Sequence, residues 1–315
     1  MKDSGNPVTV REWLDKRVMD GFDSKAIKAM LRMSAEELSE IKTDSEALPY
    51  SIRISAMDIY NAVRRKAMID TILAPTIGES LQLLMERLKD KGWSTLFEPT
   101  PGEGDRNGFT LAFCSPWQHK LIAEYGDIVC LDSMHNTCHG ENKEKIFLNT
   151  VLTRDRVTGR GIPLAFMLTN LESHFPLEHY LKWLRRECNF EPSTLMIDCS
   201  DTEALGINKA FSDHPISILY CYWHLWQAWE KNITSKISFK NMRCKEDRAE
   251  LLKDLRTHLS NLLRGETPDA FDKEWEFFQA EYGDQKMWLK YMAEEWIQVK
   301  EGWARAWRMH AHLWD

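Results

Sequence analysis

"GDIVCLDSMHNTCHGENK", residues 126–143, decides how the chain is read, because an apolar run from Ile128 to Leu131 stops on the carboxylate of Asp132. A strand apolar at every position is buried on both faces, and an ionised carboxylate at its end is unfavourable unless it binds something. The expectation is a buried strand that ends at Asp132 and offers the acid to a partner.

Working outward, "KIFLNTVLTRD" (145–155) and "GIPLAFMLTN" (161–170) read as two more strands joined by the turn "RVTG". "FPLEHYLKWLRREC" (175–188) is an amphipathic helix with Leu177, Tyr180, Leu181 and Leu184 on one face. The strand "TLMID" (194–198), the helix "SDTEALGINKAF", the strand "ISILYC" and the helix "WHLWQAWEKNI" follow. This β-β-β-α-β-α-β-α order predicts an α+β fold with a mixed five-stranded sheet and flanking helices. Its first three strands form an antiparallel meander, and "TLMID" lies parallel to the free edge of the first.

That topology brings two acids together. "IVCLD" and "TLMID" both end in Asp, and neighbouring strands lie about 4.8 Å apart, so Asp132 and Asp198 are expected in one crevice beyond the strand ends. An Asp after a strand is often the cap of the next helix, but Ser200 and Glu203 have the spacing of a capping box and take that role. Two carboxylates so close repel each other without a cation. Hard oxygen donors with open coordination suit Mg²⁺ or Mn²⁺, and a pair of such ions can clamp an in-line phosphoryl displacement.

Length and composition fit this frame. The 315 residues, 43% hydrophobic and 28% charged, suffice for a sizeable core and more than one domain. Apolar stretches such as "IPLAFMLTNL" fall short of a membrane span, and the start "MKDSGNPVTV" lacks the core of a signal peptide. The seven cysteines form no disulfide framework, which suggests a reduced, intracellular protein. A net charge of −7 gives no global preference for a polyanion, so any nucleic-acid contact must be local.

Residues 1–75 read as an N-terminal helical region, a candidate helix-turn-helix, with Arg64, Arg65 and Lys66 as candidate DNA contacts or simply a solvated face. Ser55 and Asp58 open its last helix at capping-box spacing. Residues 76–115 supply a helix and a hairpin around "PTPGEGDRNG", leading into the core at 116–237. Beyond that, 238–315 are helical and rich in Trp. The run Leu289, Met292, Trp296, Val299, Trp303, Ala306, His310 and Leu313 predicts one continuous helical stripe, which at this spacing is core rather than a base-stacking surface. Cys221 and His224 have the spacing of half a zinc site, with Cys138 and His139 as its nearest completion; the alternative is a buried Cys beside a hydrogen-bonded His. His135 is close enough to Asp132 to face the same crevice and is a further candidate DNA contact, though loop histidines are common.

Taken together, "SPWQHKLIAEYGDIVCLDSMHNT", "GIPLAFMLTNLE", "LMIDCSDTEALGINKAF" and "LYCYWHLWQAWEKNI" resemble, in order, the transposase domain of Mutator-like elements, a branch of the DDE transposases with a ribonuclease H-like fold. "WARAWR" looks like the family's helical insertion. The resemblance implies that Asp132 and Asp198 are the first two acids of a catalytic triad holding two Mg²⁺ or Mn²⁺ ions. It also puts Cys221 and His224 on the family's Cys-x-x-His motif, with His224 near the metals and the scissile phosphate. Met134 departs from the family's usual Thr. The third acid, a Glu in an Asn-rich segment beyond the insertion, has no counterpart before Asp315; Glu294 and Glu295 lack its surroundings, so the chain reads as truncated before its last catalytic residue. The implied activity is metal-dependent cleavage and strand transfer at element ends in the nucleus. DNA, as terminal inverted repeats and target, would be the partner, and the complete protein a homo-oligomer. The alternative is a domesticated, transposase-derived DNA-binding or transcriptional regulator without catalysis.

Overall fold

The computed structural model describes residues 7–30, 54–101, 107–140, 143–155, 157–239 and 244–308. The chain divides into two compact units, Met1–Arg87 and Leu88–Asp315.

In the first unit, helices α1 (Pro7–Met19), α2 (Ser24–Met30) and α3 (Ala56–Thr71) gather Trp13, Leu14, Val18, Ile27, Ile59 and Ala62 into a small core. The capping box expected at α3 forms in both directions: Ser55 accepts from the Asp58 amide and Asp58 accepts from the Ser55 amide. Helix α4 (Ile77–Asp90) runs across the division between the units.

The second unit is α+β, built on one open mixed sheet. Its strands are β1 (Ser94–Pro101), β2 (Asn107–Cys114), β3 (Ile128–His139), β4 (Lys145–Arg154), β5 (Gly161–Thr169), β6 (Thr194–Ile197) and β7 (Ser217–Tyr220). The spatial order is β1-β2-β5-β4-β3-β6-β7. The antiparallel meander β3-β4-β5 and the parallel placement of β6 beside β3 match expectation. Five strands do not complete the sheet, however. The β1-β2 hairpin, expected as an approach to the core, pairs β2 antiparallel with β5 and extends the sheet to seven strands. Its register supplies the reason: Thr110, Leu111, Ala112 and Phe113 meet Thr169, Leu168, Met167 and Phe166, so Ala112 and Met167 enter the same core.

Helices α5 (Pro116–Tyr125), α6 (His174–Cys188) and α7 (Asp201–Ala210) belong to this layer. The apolar face of α6 is buried as its periodicity demands: Leu177, Tyr180, Leu181 and Leu184 all lie in the main core with Val129, Leu131, Leu195 and Ile197. Gly206 lets α7 approach closely, since a Cβ there would sit 3.2 Å from His174 O and from a Leu177 methyl. That approach carries the first turn of α7 to the ends of β3 and β6.

A second core joins α8 (Tyr222–Lys236) to α9 (Lys245–Arg264), α10 (Pro268–Glu281) and α11 (Lys286–Tyr291). The Trp residues here are core, as their spacing predicted, with Trp229, Trp288 and Trp303 fully buried. The predicted continuous helix is not formed. After Tyr291 the chain passes through a π-helical turn (Met292–Trp296) and two 3₁₀ turns (Ile297–Gly302 and Arg305–Trp307), with non-helical dihedrals at Val299. A regular helix would keep Trp296 and Trp303 stacked along one face. The broken path instead sets both rings edge-on against Trp229, 6.1 and 5.4 Å away, and lets Trp303 Nε1 donate to Trp296 O at 2.8 Å. His310 and Leu313, the last positions of that stripe, lie outside the described residues.

Candidate active site

β3 does not stop at Asp132. It continues to His139, pairing with β4 through Asp132↔Thr150 and Ser133↔Asn149, with a bulge between Met134 and Cys138. Its pairing with β6 ends earlier, at Cys130↔Met196. Asp132 therefore lies within a strand whose other neighbour has run out, and bulges of this kind are frequent beside sites. Asp132 and Asp198 each follow the last β3-β6 pair by two residues. Alternation along a strand puts residues two apart on the same face, here the face where Cys130, Met196, Leu219 and Cys221 pack together.

The electrostatics report the same gathering. The Cys130 thiol is pushed up to about 12, first by burial, then by Cys221 and by the charges of Asp132, Asp198 and Glu203. The Asp198 carboxyl is raised by burial; His224 and His135 pull it back down, while Asp132 pushes it further up.

His224 stands in the first turn of α8, directly after the β7 end that pairs with β6. Its Nδ1 lies 2.7 Å from Asp198 Oδ1, a close ion-pair approach that is too oblique for a hydrogen bond. The exposed Trp223 ring packs edge-on against His224 at 4.6 Å. Cys221 gives its backbone N–H to Ile197 O at 2.8 Å and turns its side chain into the small cluster with Met196, so it positions the junction.

From its spacing to Ser200, Glu203 is expected only to close a capping box. Ser200 does cap α7, accepting from the Glu203 amide at 3.3 Å, but the Glu203 side chain does not return to the cap. It is nearly buried, and its Oε1 lies 2.7 Å from Ser133 Oγ, which is also 2.6 Å from Asn149 Oδ1. Oε2 is buried without a hydrogen-bond partner. Burial, with Asp198 and Asp132 adding to it against the Ser133 donation, lifts the Glu203 carboxyl to about 7. Geometry agrees: Ser133 has one proton for two acceptor oxygens, and protonation of Glu203 supplies the second. The signal that could have found Glu203 is the Asp-x-x-x-x-Glu interval from Asp198, one helical turn beyond a strand end.

Ser133, His135, Asn149, Asp198, Ser200 and Glu203 border a cleft of about 200 Å³, and Asp198 also borders a shallower depression along α8 beside His224. His135 is exposed on the cleft's rim, its Nδ1 4.0 Å from Glu172 Oε1 and its ring edge-on to Phe147.

Other expected groupings do not form. Cys138 and His139 are exposed at the far end of β3, and they do not join Cys221 and His224 in a ligand set; among the described residues, the one group of three possible ligand atoms within 4.8 Å is Cys114, His119 and Cys188. In the N-terminal unit, Arg65 Nε donates to Asp15 Oδ1 at 3.0 Å and Lys66 Nζ to Val18 O at 3.1 Å, so these two cations tie α3 to α1. Arg64 is exposed.

No protein-family model matches the chain, and no curated protein matches it. No helix among the described residues is long and apolar enough to cross a membrane.

Proposed function

We propose that the second unit is a ribonuclease H-like nucleic-acid-processing core of the Mutator-like transposase type, acting on DNA phosphodiesters with the help of Mg²⁺ or Mn²⁺. The observation that carries the reading is the register: Asp132 and Asp198 each follow the last β3-β6 pair by two residues, with His224 against Asp198. Four sequence motifs in the order of that family lend independent support.

The chemistry of the two donors suits a hard cation: Asp132, in β3 just past its pairing with β6, and Asp198, directly after β6, are carboxylates, and the charge of the first raises the cost of ionising the second. Asp132 and Asp198 would hold the ions, which, when bound, make water a nucleophile at neutral pH and offset the charge that develops on phosphate. His224 keeps the Asp198 carboxylate oriented and draws it toward the ionised form. Ser133 and Asn149 fix Glu203, whose carboxyl, lifted to about 7, is shared between its protonated and ionised forms at neutral pH. Open at its rim beside His135, the cleft offers Asp198 to a backbone phosphate. On this reading the partners are element ends and target DNA, and the protein works as a homo-oligomer in the nucleus.

The test is incubation of the protein and Mn²⁺ with DNA carrying the terminal repeats that flank its gene. Mn²⁺-dependent strand cleavage that Asp132→Asn abolishes supports the transposase. Specific DNA binding without cleavage would overturn the enzyme in favour of a transposase-derived regulator.

A further inference from the structure

Away from the acids, the ends of two elements and the start of a third meet at a cluster of sulfur and nitrogen ligands. Cys114 is the last residue of β2, His119 lies in α5, and Cys188 is the last residue of α6, where Asn189 turns the chain with φ 52°. Left-handed backbone at that position is a common way to end a helix. Both thiols are buried, His119 is half-buried, and the three ligand atoms lie within 4.8 Å of one another. His119 Nε2 is 3.8 Å from Cys188 Sγ. Bonds of about 2.0–2.3 Å to nitrogen and sulfur give a tetrahedral site edges of about 3.5–3.8 Å, so this pair already has the separation that a shared ion requires.

Two neighbours support the same assignment. Ser94, the cross-strand partner of Cys114, puts its hydroxyl 3.0 Å from the same imidazole nitrogen, within reach of a fourth position. The Tyr180 hydroxyl is fully buried with no hydrogen-bond partner, and its phenol feels both Cys114 and Cys188. A buried donor left unpaired beside two sulfurs is unfavourable unless one of them carries charge to accept it.

We propose that Cys114, His119 and Cys188 form a structural Zn²⁺ site that ties the β1-β2 hairpin and α5 to the end of α6. Binding replaces the two S–H protons, which leave to solvent, with one doubly charged ion. The product, two thiolates and a neutral imidazole around Zn²⁺, has no net charge, and that makes its burial tolerable. Tyr180 then donates to a thiolate, the kind of outer contact that orients and tunes ligands. The site is independent of the acids at β3 and β6.

The full chain, reduced and stripped of metal, would be titrated with Co²⁺ and then Zn²⁺. The expected result is a thiolate-to-cobalt charge-transfer band with the visible bands of tetrahedral cobalt, saturating at a single equivalent and displaced by Zn²⁺. His119→Gln, at a half-buried position, removes the bands, Cys188→Ala does the same, and Asp198→Asn keeps them. Tyr180→Phe weakens binding by about tenfold. Zn²⁺ should raise the unfolding temperature of the parent and leave that of His119→Gln unchanged. An octahedral spectrum, absence of the bands, or bands that survive His119→Gln would overturn the proposal.

Discussion

Glu203 and Ser133 illustrate how a single side chain changes meaning with its surroundings. In an exposed first turn, Glu203 would close a capping box; here α7 is pressed against α6 and the carboxyl is carried inward to Ser133. Its folded value of about 7 stands above the ordinary 4.5. Between those values the native state keeps a proton that the unfolded chain has lost, so the stability contributed at low pH falls as pH rises from 4.5 toward 7, by roughly 3 kcal/mol in all. Glu203→Gln lacks this dependence. Urea unfolding at pH 5 and pH 8 should therefore show the parent losing stability relative to the variant at the higher pH; parallel behaviour would mean that Glu203 is solvated. Ser133→Ala should destabilise by about 1–3 kcal/mol, since Asn149 and Glu203 then face each other without the shared donor. A loss below a few tenths of a kcal/mol in the same unfolding assay would contradict the shared bond.

At the scale of elements, the strands of the meander and the face of α6 were legible because their apolar patterns match their burial in the fold. The continuation of β3 was not, for a physical reason: beyond Asp132 it pairs with β4 alone, and Met134, His135, Cys138 and His139 are exposed, so no apolar signal marks it as strand. The break in the last helical segment was hidden by the opposite effect. Its apolar spacing is ideal for a helix, but the close approach of Gly302 to the Tyr220 ring and the seating of two Trp rings on Trp229 outweigh local preference. Gly302→Ala puts a methyl 2.9 Å from that ring and should cost about 1–3 kcal/mol. Trp303→Ala, which empties the centre of the aromatic cluster, should cost about 3–5 kcal/mol. Thermal unfolding would rank the two. An equal or smaller loss for Trp303→Ala would place the weight of the second core elsewhere.

For the whole molecule, parallel pairing of β3 with β6 and of β6 with β7 brings Asp198, an imidazole and Asp132 into one neighbourhood from segments far apart in sequence, with Asp198 also on the cleft. Sequence revealed the β3-β6 register behind Asp132 and Asp198 because both follow apolar strands; it concealed Glu203, whose role depends on how α7 packs, and the Cys114, His119 and Cys188 cluster, which only the seven-stranded sheet assembles. The proposed chemistry requires one property above all, that the two aspartates act as a unit toward a divalent ion. Mn²⁺ titration followed by the resonance of the free ion, on the parent, Asp132→Asn and Asp198→Asn, with His119→Gln as a control, measures it directly. The account predicts binding by the parent and by His119→Gln that either aspartate substitution abolishes, and equal Mn²⁺ binding by all four proteins would contradict it.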